Sequence, residues 1–299
     1  MKDLKGGEIG FLLLTSNLGN PERKPLTTRQ FWELMERSEN LKSRDLSRDL
    51  DVKDLVSIGY TPKFAQHIIT LLRDEDILTW YLTRARKQGI TPITRATESY
   101  PAIVRQRLGK DSPGCLWARG DLSLLSKKAV ALVGSRELHD RNRVFAEEVG
   151  RQAAMQGLTL VSGNARGADR TAQDACLRAG GSVISVVADS LLKHRPKENV
   201  LYLSEVSFDE EFSSHRALSR NRLIHCLGYK TFVAQSNLGM GGTWDGTVKN
   251  LRCGWSDVYC FEDGSQAVRE LEEMGAIAIG LEALSDFAGL QENTKSFLF

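Results

Sequence analysis

Apolar positions along this chain change their spacing part-way, and the change divides it into two regions. In the first 88 residues they recur at helical intervals. Phe31, Trp32, Leu34 and Met35 follow Thr27 and Thr28, either of which suits a helix N-cap, and Glu33 falls in the first turns, where a negative charge meets the positive helix end. Further helices are expected from Lys53 and from Thr61-Pro62, where proline takes the first helical position. The run Leu55-Val56-Ser57-Ile58-Gly59-Tyr60, followed by Phe64, Ile68 and Ile69, has helix–turn–helix punctuation. It reads as a plain helical packing module, with a hairpin that grips a DNA backbone as the alternative.

From Gly89 the character changes. Ile90-Thr91-Pro92-Ile93-Thr94 reads as an edge strand, where proline is tolerated, and residues 100–120 as a loop-rich connector carrying Pro113, Gly114 and Gly120. Beyond Leu125 the order strand, glycine loop, helix repeats. Strands are expected at 129–133, 158–161, 182–187, 229–234, 258–261 and 276–279, the first an almost wholly apolar run of the kind buried on both faces of a parallel sheet. Helices are expected at 141–156, with Val144, Phe145, Val149 and Met155 as its apolar stripe, at 168–179, from about Thr243, and at 265–274. Alternating strands and helices imply right-handed βαβ units. The expected fold class is therefore α/β, a Rossmann-like parallel sheet with flanking helices over residues 89–285, preceded by a small helical domain over 1–88 and followed by a tail, 286–299.

Composition narrows the function classes. With 41% hydrophobic and 26% charged residues, the 299-residue chain suits soluble globular domains, and 40 Lys+Arg against 38 Asp+Glu give a net charge of +2. A nucleic-acid site must therefore be local rather than a property of the whole surface. No apolar run approaches the roughly 18 residues that span a bilayer. The N-terminus shows no secretory pattern, so a cytoplasmic location with no membrane partner is expected. Five cysteines form no C-x-x-C pair, so neither a metal site nor a cofactor is expected.

Ligands of open α/β sheets bind beyond the strand carboxyl ends, and glycine loops lie there. Val133-Gly134-Ser135-Arg136 offers close backbone approach, a hydroxyl and a guanidinium to a phosphate, although a plain turn would use the same residues. Ser162-Gly163-Asn164-Ala165-Arg166-Gly167-Ala168-Asp169 opens a helix, with Asp169 as a capping or loop-holding group. Gly239-Met240-Gly241-Gly242-Thr243-Trp244-Asp245-Gly246 can form an anion-binding nest, and Trp244 is suited either to stacking on a base or to packing under the sheet. Arg220-Asn221-Arg222 concentrates charge before an apolar helix. Its two arginines cannot point the same way, so one faces the phosphate site while the other packs or pairs with an acid such as Glu205 or Asp169. G-x-G-x-x-G and the Walker loop are absent, as are H-E-x-x-H and G-x-S-x-G, so no covalent or metal-assisted catalysis is expected.

Taken in order and spacing, VGSR, SGNARGAD, SRNR and GMGGTWDG resemble the DprA/Smf DNA-processing family over roughly residues 90–280, and the helical start looks like the helix-hairpin-helix or SAM-like module that precedes that domain. The resemblance implies a dimer that binds single-stranded DNA without base preference and loads the recombinase RecA in recombination or transformation. By it, Gly134, Ser135 and Arg136 would contact the DNA backbone, Ser162, Gly163, Arg166 and Gly167 would line the same pocket, and Arg220, Asn221 and Arg222 would complete it, with Gly241, Gly242, Thr243 and Trp244 beside them. Several positions depart from the family pattern. Ala217 and Leu218 stand where Phe-Pro is common, Gln173 where histidine is common, and the last glycine loop reads GGTW in place of a serine-rich version. The chain stops at Phe299, short of the winged helix many members carry.

The second reading is a nucleotide sensor or a LOG-type phosphoribohydrolase, of which Gly241-Gly242-Thr243 is a partial echo. Those enzymes have a glutamate shortly after the loop; here the nearby acid is Asp245.

Overall fold

The computed structural model describes residues 4–41 and 49–292 and divides the chain into two compact units. The first unit comprises Met1–Tyr100, Gly109–Trp117 and Glu205–Glu210. It holds helices α1 (Gly6–Thr15), α2 (Thr28–Ser38), α3 (Val52–Ser57), α4 (Pro62–Leu72) and α5 (Glu75–Lys87), then strand β1 (Ile90–Thr94). The caps follow the sequence. Thr27 caps α2 and exchanges hydrogen bonds with Gln30, Asp51 caps α3, and Thr61 caps α4 ahead of Pro62. Phe31, Leu34, Leu55 and Ile68 fill the core between them.

At the α3–α4 turn, the amides of Gly59 and Tyr60 donate to the Val56 and Leu55 carbonyls, and Arg37 donates to the Gly59 carbonyl at 2.8 Å with its guanidinium 4.5 Å from the Tyr60 ring. These backbone groups are engaged internally, which favours the packing reading over a DNA-gripping hairpin. The expected division at residue 88 also differs from the structural one. The first unit runs on to Tyr100 and recruits residues 205–210, whose Phe208 stacks on Tyr81 at 4.4 Å and lies 5.3 Å from Trp117. An aromatic cluster drawn from such distant segments leaves no local pattern.

The second unit comprises Pro101–Leu108, Ala118–Ser204 and Glu211–Phe299. Residues 100–120, expected as loop, contain α6 (Ala102–Leu108), in this unit, and β2 (Cys115–Gly120), whose first three residues count with the first unit and last three with the second. The rest of the unit is β3 (Ala129–Val133), α7 (Asp140–Met155), β4 (Thr159–Ser162), α8 (Ala168–Arg178), β5 (Ser182–Val186), β6 (Val200–Ser204), α9 (Ser214–Leu227), β7 (Lys230–Val233), α10 (Gly241–Cys253), β8 (Asp257–Phe261), α11 (Gln266–Glu273) and β9 (Ile277–Ile279). Of these strands, β6 was not expected. Strands β3 to β9 are parallel throughout, in the order β6-β5-β4-β3-β7-β8-β9. Val130, Leu132, Leu160, Val183, Phe232 and Tyr259 are fully buried, so the expected α/β Rossmann-like sheet is present with both faces covered.

Two expectations for this unit need correction. On α7, Phe145 and Val149 are buried but Val144 and Met155 are 49% and 64% exposed. Small Ala146 and Ala153 take the core-facing places between them, which narrows the apolar stripe. The supposed tail is also packed at its start. The Phe287 ring is fully buried 4.6 Å from Phe232, and its amide donates to Gln156; residues 293–299 lie outside the described residues.

One buried polar pair makes this unit sensitive to acid. His225 on α9 is fully buried, its Nδ1 accepts from Asn250 Nδ2 at 3.2 Å, and burial pushes its pKa down to about 3. Below pH 6.5 the unfolded chain takes up a proton that the folded chain resists, so stability present at neutral pH is lost as pH falls between about 6.5 and 3. Urea unfolding at pH 7 and pH 5.5 should show the loss, at up to about 1.4 kcal/mol per pH unit, and the part due to this residue should vanish in His225→Gln. An identical pH dependence in the variant would assign it elsewhere.

Candidate anion-binding site

Strand order reverses at β3, whose neighbours are β4 on one side and β7 on the other. Chains leaving β3 and β7 part there and open a crevice at the carboxyl ends. The crevice is pinned at its root, where the Ala234 amide donates to Val133 and the Ser135 amide to Gln235, both at 3.0 Å. A cavity of about 430 Å³ fills it. Gly134, Ser135 and Arg136 form one wall, Arg220 and Asn221 another, and Gly241, Gly242 and Thr243 a third. A second cavity of about 330 Å³ shares Arg136 and Arg220 and adds Gly163, Arg166 and Arg170.

Arg220 organises the floor. It is only 8% exposed, its guanidinium donates to the Val186 carbonyl, and it lies across Gly163 so closely that any β-carbon there would overlap Nη1. Gly163 is thus a glycine because an arginine occupies its side-chain space. Gly167, at φ 86°, passes so close to Ser135 and Arg136 that a β-carbon would sit 2.5 Å from the Arg136 carbonyl carbon. Gly134 similarly faces Ala168 Cβ, 2.5 Å from where its own would be. These glycines, expected to bring backbone close to a phosphate, also let Arg220, helix α8 and the Ser135–Arg136 loop pack closely against their own segments.

Asp169 is buried behind this floor and accepts from the Ala165 amide at 3.0 Å. Burial raises its pKa, against the opposing pull of the Arg220 charge, the Ala165 and Gly163 backbone and Arg136. It holds the loop, as one of its two expected roles required. Arg136 is exposed and has no ion-pair partner among the described residues, while Arg166 meets Glu137 at 3.1 Å with both side chains mostly in solvent. Such an exposed pair is cheaply exchanged for a bound anion. Asn221 Nδ2 donates to the Gly242 carbonyl at 2.9 Å and so fixes the first turn of α10 to α9. No side chain caps α10. Its leading amides and dipole are therefore left to face an anion in the larger cavity.

Four expected residues line neither cavity. The Ser162 hydroxyl is buried and accepts from Gln173 Nε2 at 2.5 Å, Gly167 serves the loop packing, Arg222 points away from Arg220 as helix periodicity requires, and Trp244 is half-buried. Other residues were missed. Ser236 Oγ lines the larger cavity, is 8% exposed and has no partner among the described residues. Its place just after β7 was the available signal. In the second cavity, His194 and Asp189 pair at 2.8 Å beside Arg170. Burial would raise the Asp189 pKa, but the His194 hydrogen bond and charge, its own backbone and Lys193 outweigh this and leave it lowered. Phe212 lines both cavities and is 51% exposed.

The sequence model of the DNA recombination-mediator protein A family matches residues 91–250, which contain every segment just described around the two cavities. The chain belongs to that family. It is 28% identical over 165 residues to DNA processing protein DprA of Bacillus subtilis, covering 52% of this chain and 55% of that protein. To DprA of Streptococcus pneumoniae it is 33% identical over 141 residues, covering 44% and 50%. The chain spans about half the length of these curated relatives. The X-ray structure of DprA from Streptococcus pneumoniae superposes with a TM-score of 0.69 at 25% identity, covering 92% of this chain and 95% of that one. A Helicobacter pylori DprA structure, described for its single-stranded DNA binding mode, gives 0.54 at 25% identity, covering 66% and 93%.

The Gly163–Arg220 contact is open to direct test. Gly163→Ala should destabilise the fold by about 1–3 kcal/mol, as overpacking does, and should cost far less in an Arg220→Ala background, where the methyl has room. Equal costs in both backgrounds, measured by urea unfolding, would refute the contact.

Proposed function

We propose that the chain binds single-stranded DNA in the crevice at the β3–β7 switch point, gripping phosphates without reading bases, and carries out no covalent chemistry on the strand. The observation that carries this reading is the pair of adjoining cavities that share Arg136 and Arg220 at the uncapped end of α10. Arginines spread over both cavities, Arg136, Arg166, Arg170 and Arg220, suit a backbone that presents one phosphate after another. The single-strand binding described for the Helicobacter pylori relative supports the same ligand. The family's description as a recombination mediator supports passage of the bound strand to a RecA-type recombinase, and a homodimer would double the length of strand held.

A nucleotide sensor or phosphoribohydrolase fits less well. Asp245 is exposed and lines neither cavity, while the acid that does line the larger one, Asp169, is occupied by the Ala165 amide.

Fluorescence anisotropy with oligo-dT, oligo-dA and duplex DNA over a salt series tests the reading. Expected is salt-sensitive binding that prefers single strands and treats dT and dA alike. Arg136→Ala should weaken it equally for both and reduce the salt slope by roughly 0.7–1, the loss of one phosphate contact. Arg222→Ala, whose side chain lines neither cavity, should leave the slope unchanged. Absence of binding to every strand, alongside saturable binding of a mononucleotide, would replace this reading with the sensor.

A further inference from the structure

We infer that an anion entering the larger cavity draws a proton onto the Asp169 carboxyl, so that Asp169 sets the affinity of the site; this rests on the single-strand reading above. Among the described residues, the charged groups lining that cavity are Arg136, Arg220 and Asp169. An ionised acid has the wrong charge for a phosphate site. It is not turned away from the opening either, because its side chain lines the cavity while the residue is only 7% exposed. Two arginines against one carboxylate leave a single net positive charge in the lining, and protonation of the acid doubles it.

The carboxyl is held between opposing demands. Burial, the largest of them, favours its neutral form and raises its pKa, while the Arg220 charge, the Ala165 and Gly163 amides and the Arg136 charge favour the ionised form. The charges that face it come from two other elements, Arg220 on α9 and Arg136 after β3. The loop after β4 gives it amides alone, since Arg166 on that loop meets Glu137, and Arg170, beside it on α8, lines the second cavity. A phosphate arriving at Arg136 and Arg220 shares the two charges that keep the acid ionised and sets a third, negative charge beside it. Both changes move the carboxyl toward its neutral form. Once protonated, it can still accept the Ala165 amide at one oxygen while the other carries an O–H, a donor suited to a phosphate oxygen.

By linkage, the proton and the anion strengthen each other's binding by the same factor. Below the carboxyl's own pKa, which lies above 3.8, the acid is neutral with or without the strand and affinity is at its highest. Above the still higher pKa it has beside a phosphate, the acid is ionised in both states and affinity is at its lowest. Between the two, affinity falls as pH rises, by at most about tenfold per pH unit for one proton. The arginines alone give no such dependence, because guanidinium stays charged throughout. His194 and Asp189, the titratable groups of the second cavity, are common to wild type and an Asp169 variant and drop out of their comparison.

The test measures oligo-dT binding by anisotropy from pH 5.5 to pH 8 at fixed salt, for wild type and for Asp169→Asn, which keeps an oxygen for the Ala165 amide and never carries a charge. At pH 8 the variant should bind about 5- to 150-fold more tightly than wild type, the usual range of coupling between two sites. The gap should narrow as pH falls, because only wild type gains affinity from the carboxyl's proton. Calorimetry at pH 6.5 in two buffers of different ionisation enthalpy should show wild type taking up more protons on binding than the variant does. Infrared difference spectra of wild type should show a carboxylate band replaced by that of a protonated carboxyl when oligo-dT is added, a readout independent of the variant's folding. Equal or weaker binding by the variant at pH 8, a gap constant with pH, equal proton uptake, or a carboxylate band that persists would each overturn the coupling while leaving the phosphate site standing. Failure of wild type to bind oligo-dT at any pH in the series would instead remove the single-strand reading and the coupling with it.

Discussion

A guanidinium held away from water is costly unless its charge and its donors are met, and Arg220 carries that requirement into the centre of the site. The Val186 carbonyl at the end of β5 accepts from it, the missing side chain of Gly163 makes room for it, and the Asp169 charge lies close enough to be felt. Each partner brings a consequence. Gly163 cannot be another residue without displacing the arginine, and Asp169 ties the same loop through the Ala165 amide. The loops after β4 and β5 and the helix α9 are thereby locked together beneath a floor of fixed positive charge.

The topology decides where that charge is delivered. Because β3 has β4 on one side and β7 on the other, the chain segments leaving β3 and β7 diverge and leave a crevice that side chains alone do not fill. Buried strands pin the root of the crevice through the Ser135–Gln235 and Ala234–Val133 hydrogen bonds. A polyanion bound there as proposed would meet a prearranged surface, with little ordering of the protein needed on binding. Exposed Arg136 and Arg166 sit above the rigid floor, free to follow a flexible backbone.

The parallel sheet was legible because βαβ units write themselves as short apolar runs, glycine loops and amphipathic helices in turn. Strands β3, β4, β5, β7, β8 and β9 and helices α7, α8, α10 and α11 fall within a few residues of expectation, whereas α9 begins at Ser214 and contains the arginines expected to precede it. The brief runs of β2 and β6, set between proline, glycine and charged residues, carried too little periodicity to stand out. The candidate loops do lie after strands, as expected, and their glycines also have packing roles that the sequence did not reveal. Gly163 makes room for Arg220, Gly134 for Ala168 and Gly167 for the Ser135–Arg136 loop, and the Ser162 hydroxyl is engaged by Gln173.

Helix periodicity in the sequence already required Arg220 and Arg222 to diverge, and apolar runs alternating with amphipathic helices already implied a parallel sheet whose crevice lies at the strand carboxyl ends. Which arginine turns inward depended on the space left above Gly163, and that space exists only once β4 and β5 are paired and α9 is laid across them. Phe212 and Ser236 became site residues for the same reason, since separate segments meet around the cavity only in the folded chain. Local spacing governs the direction in which a side chain leaves its own element. What it then meets is set by long-range packing, which no short window of sequence contains.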